Sequence, residues 1–383
     1  MTISGKIILK QGREASVLRK HPWVFSGGVH KKEGDIQDGD WVEIVDARGN
    51  TLGFGHYQNG SIAVRILHFG SDQPAPDLYQ QKIEKAKTLR DRSGILSSET
   101  NCYRLLHGEG DGLSSLIIDV YGRAAVIQSH SEGMHRDRHE IANALASSIS
   151  VDTIYYKSQS AAEYLLGTST LPHQVVEHSN RFLVDWEQGQ KTGFFLDQRE
   201  NRKLVGDLSA GKKVLNTFCY TGGFSVYAIR AGAKLVHSVD ASAKAIEITK
   251  KNIELNGFDA TQHECFVQDT FDHFKSTTEK YDLIILDPPA FAKHREARHQ
   301  AMRGYQRLNA EAIKMIEPGG MIFTFSCSQV VDRKLFYDTV MSSAIQAGRE
   351  VKVLSHLSQP ADHPVSAFHP EGEYLKGLVL YVE

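Results

Sequence analysis

The segment Val214-Leu-Asn-Thr-Phe-Cys-Tyr-Thr-Gly-Gly-Phe-Ser-Val226 decides the fold of this 383-residue chain. It begins apolar, as a buried strand does, breaks at Thr221-Gly222-Gly223, and resumes as a helix from Phe224 to Ala231. Glycines let the backbone approach a ligand closely, and the first turn of a helix offers unpaired N–H groups. A strand, a glycine turn and a helix in this order predict the first half of a nucleotide-binding α/β unit.

Acidic residues end the strands that are predicted after this turn. Asp240 closes a second strand, 24 positions after Asn216, where a carboxylate can accept hydrogen bonds from ribose hydroxyls. Asp269 ends the next strand, and Asp287 ends the buried run that begins at Tyr281. Aspartate at a strand end also favours turns and helix caps. Three such acids beside a glycine turn nevertheless favour a cofactor site.

Composition sets the outer bounds. The net charge of −2 excludes any argument from overall basicity, so a nucleic-acid partner would need local positive charge. The four cysteines, Cys102, Cys219, Cys265 and Cys327, form no CxxC pair and lie far apart, which argues against a zinc cluster or a disulfide framework and predicts a reducing compartment. The sequence shows no signal peptide and no membrane span, so we expect a cytoplasmic protein.

The chain divides into three predicted domains, residues 1–70, 71–180 and 181–383. The first is a small β-rich unit, followed by a polar linker from Gly70 to Asp77 and a charged helix over 78–92. The second reads as two strands, a helix and two strands, the last of them Gln174 to Glu177. The third alternates strands and helices, which predicts an α/β fold with a mostly parallel, doubly wound sheet and a ligand at the strand carboxyl ends.

Two basic segments are candidates for RNA binding. Residues 1–32 hold seven Lys or Arg against one acid, and His21-Pro-Trp-Val-Phe25 interleaves aromatic side chains that can stack on bases. The segment Lys293 to Arg307, directly after the Asp287 motif, could bind phosphates that flank a target base. A solvated basic face is the alternative in both places. The candidate RNA-binding residues are Lys20, His21, Trp23, Lys293, Arg295, Arg298, Arg303 and Tyr305.

The glycine turn favours S-adenosylmethionine (SAM) over a nicotinamide cofactor. A dinucleotide site normally carries G-x-G-x-x-G, which cradles the pyrophosphate, whereas this turn reads Thr221-Gly222-Gly223-Phe224. SAM has no phosphate and does not need that cradle. The motif Asp287-Pro288-Pro289 then lies where methyltransferases of planar substrates hold the edge of a nucleobase, although a Pro pair that only ends a strand is the simpler interpretation.

Cys327 indicates the chemistry. Ser326-Cys327-Ser328 ends the strand that follows the Asp287 strand, so we expect Cys327 and Asp287 to be neighbours in space. Carbon 5 of cytosine is a poor nucleophile, but a thiolate that adds at carbon 6 pushes electron density onto carbon 5, which then takes the methyl group. Free cysteines are more often structural, and we keep that interpretation for Cys102, Cys219 and Cys265.

Taken together, these motifs resemble the RlmI-type methyltransferases, which place 5-methylcytosine in 23S ribosomal RNA, and the likeness spans nearly the whole chain. The shared motifs are Lys191–Arg199, Tyr220–Phe224, Asp287–Pro289, Arg303–Tyr305, Phe325–Ser328, Ala361–Val365 and Pro370–Gly377. The resemblance implies an N-terminal PUA domain, which is an RNA-binding β-barrel, a central α+β (EEHEE) domain and a C-terminal Rossmann-like methyltransferase domain. It also implies 23S ribosomal RNA of the large subunit as partner; a homodimer is compatible with the sequence, which does not indicate an oligomeric state.

The resemblance assigns roles to individual residues. Asp269 would reach the adenine of SAM, Cys327 would be the nucleophile, and Asp287 would act at both the cofactor and the base. Many RNA 5-methylcytosine enzymes carry a second cysteine where this chain has Ala290, so the group that removes the carbon 5 proton stays unassigned, with His363 a candidate only by its place in a shared motif. The residues implied to bind SAM are Phe195, Gln198, Arg199, Asn216, Phe218, Tyr220, Thr221, Gly222, Gly223, Phe224, Asp240, Asp269 and Asp287.

Two other functions remain open at this point. Methylation of an exocyclic amine usually has an aromatic residue directly after the Asp-Pro-Pro motif; here Ala290 precedes Phe291, and that mechanism gives Cys327 no role. A non-catalytic RNA-binding factor that has kept the fold is the other, and the intact acids and Cys327 argue against it.

Overall fold

The computed structural model describes residues 2–292 and 294–383. The chain forms two compact units. Unit 1 contains the residues up to His173 together with Trp186–Thr192 and Ala361–Gly372, and unit 2 contains Gln174–Asp185, Gly193–Pro360 and Glu373–Glu383. Among the described residues, no helix is both long and apolar enough to cross a membrane.

The first sheet of unit 1 has six strands in the order β2-β6-β5-β4-β1-β3. Short strands with apolar residues on the inner face surround a core that includes Ile7, Val42 and Val64, and the three strands between Trp41 and Phe69 form an antiparallel meander. The strands and one short helix are β1 (Ile3–Leu9), α1 (Glu14–Leu18), β2 (Trp23–Phe25), β3 (Val29–Glu33), β4 (Trp41–Val45), β5 (Thr51–Tyr57) and β6 (Ile62–Phe69).

The second sheet of unit 1 has five strands in the order β11-β10-β9-β8-β7, and three helices belong to the same part of the chain. The elements are α2 (Leu78–Arg92), β7 (Cys102–His107), β8 (Leu116–Tyr121), β9 (Ala124–Ser129), α3 (Glu132–Arg136), α4 (Arg138–Ser148), β10 (Thr153–Lys157) and β11 (Ala162–Leu166). The strand expected from Gln174 to Glu177 is not part of this sheet. It lies in β12 (His173–Glu177) and pairs with β13 (Asn180–Val184) in a separate two-stranded ribbon.

Unit 2 is built around a seven-stranded sheet in the order β16-β15-β14-β17-β18-β20-β19. The strands from β16 to β18 in this order are parallel, and β20 and β19 are antiparallel additions. The elements are α5 (Arg199–Asp207), β14 (Lys213–Thr217), α6 (Gly223–Arg230), β15 (Leu235–Asp240), α7 (Ala243–Leu255), β16 (His263–Val267), α8 (Thr270–Ser276), β17 (Leu283–Leu286), α9 (Arg298–Met315), β18 (Gly320–Ser326), α10 (Arg333–Ala347), β19 (Val351–Leu357) and β20 (Lys376–Val382).

The order of these strands creates a switch point between β14 and β17. From β14 the chain moves outward through β15 to β16, and it then returns to the other side of β14 to form β17 and β18. Loops at such a point diverge, and the crevice between them is where open α/β sheets bind ligands. Both strands are buried on both faces, as helix-covered parallel strands are: Leu283–Leu286 of β17 is fully buried.

Candidate active site

Strand register brings the predicted site residues to one edge of the sheet. Thr217 of β14 pairs with Val239 of β15 on one side and with Leu286 of β17 on the other. Asp240 and Asp287 each follow their paired residue by one position, so both lie beside the loop that leaves β14. Further along, Leu286 pairs with Thr324 of β18, which places the Cys327 turn next to the Asp287 turn.

The loop after β14 is shaped by its backbone. Phe218, Tyr220 and Gly222 all have positive φ, at 54°, 47° and 75°, and α6 begins at Gly223. A Cβ at position 222 would lie 2.6 Å from the Thr249 Cγ2, and one at 223 would lie 2.9 Å from the Arg202 side chain. Gly222 is therefore required by conformation and by packing, whereas Gly223 is required by packing alone. Left-handed backbone at non-glycine residues costs of order 1–3 kcal/mol and clusters at functional sites.

Asp240 ties this loop to the next strand. Its carboxylate accepts hydrogen bonds from the Tyr220 N–H at 3.0 Å and from the Ser242 N–H at 2.9 Å. The side chain is only half-buried, and a carboxylate offers about four acceptor positions, so it retains capacity for ligand hydroxyls. Asp269 differs, because its exposed carboxylate caps α8 by accepting from the Phe271 N–H at 2.8 Å. Asp269 therefore has the helix-capping role that is the alternative interpretation of an aspartate at a strand end.

Asn216 carries a buried acceptor at the end of β14. Its amide nitrogen donates to the Ser225 Oγ at 2.9 Å, and that hydroxyl lies 2.7 Å from the Ser238 Oγ. Within the described part of the chain, the Asn216 Oδ1 accepts no hydrogen bond although the residue is fully buried. A buried polar atom without a partner is costly, and a bound ligand that donates to it would remove that cost.

The segment Phe195–Arg199 meets the glycine turn through aromatic contact. The Phe195 ring lies edge-on to the Tyr220 ring with centroids 5.0 Å apart, and the Tyr220 hydroxyl donates to the Gly193 carbonyl at 3.2 Å. Gln198 and Arg199, also predicted to bind the cofactor, are buried. The Gln198 Oε1 accepts from the Asn201 amide at 2.6 Å.

A buried ion cluster holds this segment in place, and sequence reasoning missed it. Arg202 makes a bidentate pair with Glu177 at 2.8 Å and donates to the Phe195 carbonyl, while Arg199 lies 3.4 Å from the same carboxylate. Burial raises the pKa of Glu177, but Arg202 and Arg199 outweigh it, so that the carboxyl pKa is lowered overall. No local signal links Glu177 to Arg202, because the two are joined only by the fold.

The Ser326-Cys327-Ser328 turn is fastened by its two serines. The Ser326 hydroxyl donates to the Tyr305 hydroxyl at 3.0 Å, and the Ser328 hydroxyl donates to the Ala292 carbonyl at 2.8 Å. The second bond ties the cysteine turn to the segment that follows Asp287-Pro288-Pro289. Cys327 itself is half-buried.

Tyr305 does not agree with its predicted role in RNA binding. It is fully buried in the core of unit 2, with its ring 4.7 Å from that of Phe291. Burial raises the pKa of Tyr305 to about 12, and the charges of Cys327 and Asp287 add to the shift. Tyr305 lies on α9, and its hydroxyl contacts Ser326 in the turn that carries Cys327. A residue without exposed surface cannot stack on a base, so Tyr305 supports this turn from the core.

The remaining cysteines occupy apolar or protected positions. Cys102 is fully buried. At Cys219, burial of the thiol and the nearby Asp240 raise its pKa strongly. Burial raises the pKa of Cys265 to about 11. The raised pKa values of Cys219 and Cys265 make their thiolate fractions near neutral pH negligible, as is typical of structural thiols.

The basic residues fall in both units. In unit 1, Lys20 is exposed and lies 5.0 Å over the Phe69 ring, whereas the Trp23 indole is half-buried and donates to the Glu109 Oε1 at 3.0 Å. The His21 and Trp23 rings meet edge-on, with centroids 5.9 Å apart. In unit 2, Arg298 and Arg303 of α9 are exposed. Lys293 and the side chain of Arg295 lie outside the described residues.

Comparison with known proteins identifies the class that this fold and site define. Residues 136–372 match the family model of S-adenosylmethionine-dependent methyltransferases, and residues 7–69 match the model of a PUA-like domain. The chain belongs to the S-adenosylmethionine-dependent methyltransferase family, which confirms the predicted Rossmann-like fold, the PUA-like domain and SAM as cofactor. Close relatives carry a more specific name. The Aeromonas hydrophila and Klebsiella pneumoniae (strain 342) proteins called ribosomal RNA large subunit methyltransferase I are 39% and 38% identical, over 99% and 98% of both chains.

Solved structures share the whole architecture. One described as a SAM-dependent methyltransferase from Streptococcus mutans superposes with a TM-score of 0.86 at 23% identity, covering 99% of this chain and 100% of that one. The methyltransferase SMU.776 in complex with SAH gives a TM-score of 0.87, also at 23% identity, with the same coverage. At this identity the likeness concerns the fold.

The residues at the edge of the sheet fit SAM. The ammonium group of SAM needs an acceptor, which the Asn216 Oδ1 would offer, and its ribose hydroxyls need a carboxylate with spare capacity, which Asp240 would offer. The turn from Phe218 to Gly223 brings backbone against the same space without a side chain at its two glycines.

Proposed function

We propose that this protein transfers a methyl group from SAM to carbon 5 of a cytosine in large-subunit ribosomal RNA, with Cys327 as the covalent nucleophile. The relatives named ribosomal RNA large subunit methyltransferase I support the substrate class. The observation that carries the chemistry is the pairing of β17 with β18. This pairing brings the half-buried Cys327 next to the Asp287-Pro-Pro turn. Electrostatic interactions with both residues contribute to the raised pKa of Tyr305.

The chemistry follows from this arrangement. The Cys327 Sγ adds to carbon 6 of the base, a C–S bond forms, and the electron pair of the 5,6 double bond moves so that carbon 5 becomes nucleophilic. SAM, when bound, would supply an electrophilic methyl group: the bond from this methyl group to the SAM sulfur breaks as the bond to carbon 5 forms, and S-adenosylhomocysteine is the leaving group. After the methyl group is on carbon 5, that carbon loses its proton and the C–S bond breaks, which restores the double bond and the thiolate.

Asp287 is proposed to hold the cytosine edge. Its side chain is half-buried at the start of the turn, and Pro288 and Pro289 fix the backbone that follows. A carboxylate here can accept from the exocyclic amine of cytosine. The base that takes the carbon 5 proton is not assigned. His363 is fully buried in unit 1, where its Nδ1 lies 2.9 Å from Asp362 and its ring faces His107, so nothing favours it for that role.

The other predicted site residues would bind SAM or RNA. Asn216, Phe218, the residues from Tyr220 to Phe224 and Asp240 would hold SAM, Asp269 would reach its adenine, and the Phe194–Arg199 segment would cover it. Lys20, His21 and Trp23 of the PUA-like domain and Arg298 and Arg303 of α9 would contact RNA. The target base must be unpaired or swung out, because a thiolate cannot reach carbon 6 within a stack.

The test uses purified protein, SAM labelled in its methyl group and unmodified ribosomal RNA, with digestion to nucleosides and mass spectrometry. Labelled 5-methylcytidine is the expected product. A labelled N-methyl nucleoside would replace this proposal by methylation of an exocyclic amine. Absence of label from the RNA, together with absence of SAM binding in calorimetry, would favour a non-catalytic RNA-binding factor.

A further inference from the structure

Lys376 touches both sequence neighbours of the proposed nucleophile. It is the first residue of β20 and pairs in register with Ser326, which precedes Cys327. Its side chain is only 3% exposed, and its Nζ donates at 2.6 Å to the carbonyl of Ser328, which follows Cys327. The lysine is therefore fixed against the turn that carries the thiol.

The hydrogen bonds of the ammonium leave part of its capacity free. Besides Ser328, the Nζ donates to the Tyr374 carbonyl at 2.6 Å. An ammonium group has three N–H donors, so these two carbonyls use two of them. Carbonyl oxygens accept but carry no full negative charge. Among the described residues, no carboxylate forms an ion pair with Lys376, and the nearby Glu373 is paired with Arg333.

The charged and titratable groups around Lys376 are Cys327 at the end of β18, Glu373 before β20, and Asp332 and Arg333 at the start of α10. Burial lowers the pKa of Lys376 to about 8, while Cys327 and Glu373 act in the opposite direction. The electrostatic interaction is mutual: an anionic sulfur that favours the charged lysine is itself favoured by that lysine. Below about pH 8 the ammonium is charged and this effect is present.

We propose that Lys376 is a positioning residue whose ammonium holds the Cys327 sulfur as a thiolate and whose hydrogen bond to Ser328 fixes the turn. This inference rests on the proposed role of Cys327 as nucleophile. An ordinary thiol is almost wholly protonated at neutral pH, with a pKa of about 8.5, and only the thiolate adds to carbon 6. The paired ammonium would supply the reactive form before the base arrives. It would also stabilise the sulfur as a leaving group when the C–S bond breaks.

The experiment measures the rate of iodoacetamide alkylation at Cys327, followed by peptide mass spectrometry of the folded full-length protein from about pH 6 to about pH 10. Three variants are compared. Lys376→Met removes the charge at similar length, Lys376→Arg keeps it, and Lys352→Met is the matched control. Lys352 lies on β19, is exposed and pairs with Glu383, so its loss should leave the Cys327 profile unchanged.

For the wild type we expect half-maximal alkylation of Cys327 below the pH of an ordinary thiol. Lys376→Met should shift the midpoint upward by about one unit or more, which lowers the rate at neutral pH roughly tenfold. RNA methylation by this variant should fall about as much at neutral pH and recover in part at higher pH. Lys376→Arg should stay close to the wild type in the midpoint. If Lys376→Met only loosened the turn, its RNA methylation would not recover at higher pH.

An unshifted alkylation midpoint in folded Lys376→Met would overturn the proposal. If that variant does not fold, the wild-type profile still decides, since a midpoint at or above about 8.5 would show an ordinary thiol. The function of Cys327 is tested separately by Cys327→Ala. If Cys327→Ala still methylates RNA, Cys327 is not the nucleophile. The alkylation profile of the wild type would still report whether the Lys376 ammonium and the Cys327 thiol are paired.

Discussion

Two turns at the same edge of one sheet each carry a cysteine, and they are built in opposite ways. The turn after β14 is set by backbone conformation and close glycine packing, and its Cys219 is buried with the Sγ 3.7 Å from the Thr249 hydroxyl. The turn after β18 is set by side-chain hydrogen bonds from Ser326 and Ser328, and its Cys327 is half-buried. The same residue type is thus sealed in one turn and accessible in the other. Position at the edge is not enough to make a thiol reactive.

The sharpest test of this comparison exchanges each cysteine for alanine. Cys327→Ala should lower RNA methylation by about a thousandfold or more, because removal of a covalent nucleophile leaves only binding and orientation. Cys219→Ala should keep a rate near that of the wild type. The measurement is methyl transfer from labelled SAM to RNA, with SAM affinity by calorimetry unchanged in Cys327→Ala. Equal activity of the two variants would end the distinction between the turns.

Asp240, which lies beside the turn after β14, should affect the binding of SAM and not the reactivity of the Cys327 thiol. Asp240→Ala should weaken SAM binding roughly 10–100-fold, since hydrogen bonds to charged groups contribute about 1.5–3 kcal/mol. Asp259→Ala is the control, because that exposed carboxylate accepts from the Thr261 N–H and only caps a turn. Isothermal titration with SAM is the measurement. Affinity that does not change in Asp240→Ala would remove this acid from the site.

Glycine packing in the turn after β14 predicts a difference in stability between two Gly→Ala variants. Gly222→Ala combines positive φ with a Cβ only 2.6 Å from Thr249, so it should reduce the free energy of unfolding by about 2–3 kcal/mol. Gly257→Ala has φ of 69° but no atom within 4 Å of the new Cβ, and should cost about 1 kcal/mol. Urea denaturation measures both. Equal losses would mean that conformation, and not contact with Thr249, requires glycine at position 222.

Removal of a side-chain hydrogen bond in the turn after β18 should have the smallest effect on stability and on the methylation rate. Ser328→Ala removes the hydrogen bond to the Ala292 carbonyl and should cost about 1 kcal/mol of stability. Its methylation rate should fall by more than that of Thr88→Ala, which removes an exposed hydroxyl bonded within α2. Thermal unfolding and the labelled-SAM assay provide the two values. An unchanged rate would indicate that Cys327 does not need this bond to the Asp287 segment.

Local pattern was sufficient for much of this fold. The glycine turn, the acids at the strand ends and the helix over 78–92 are all determined by nearby residues, and each lies where the sequence predicts it. Contacts between distant segments were not accessible in this way. Tyr305 belongs to a basic stretch, yet packing of α9 buries it. Gln174–Glu177 has the period of a strand, but nothing local indicates that it pairs with 180–184 and not with the sheet before it.

The place of Lys376 shows the same limit at the site itself. Its motif was recognised by resemblance, but its role depends on β20 entering the sheet between β18 and β19. Two apolar strands late in a chain can pair in several orders, and the sequence does not choose among them. Only the observed register puts the lysine opposite Ser326.

That insertion of β20 has a consequence for synthesis of the protein. Lys376 follows Cys327 by 49 positions, so the ribosome produces the thiol well before its proposed counter-ion. Until β20 has been made and has paired with β18, the proposed counter-ion of Cys327 is not in place. On this proposal the sulfur gains its reactivity only as the sheet closes, so an unfinished chain would expose a less reactive thiol at this position.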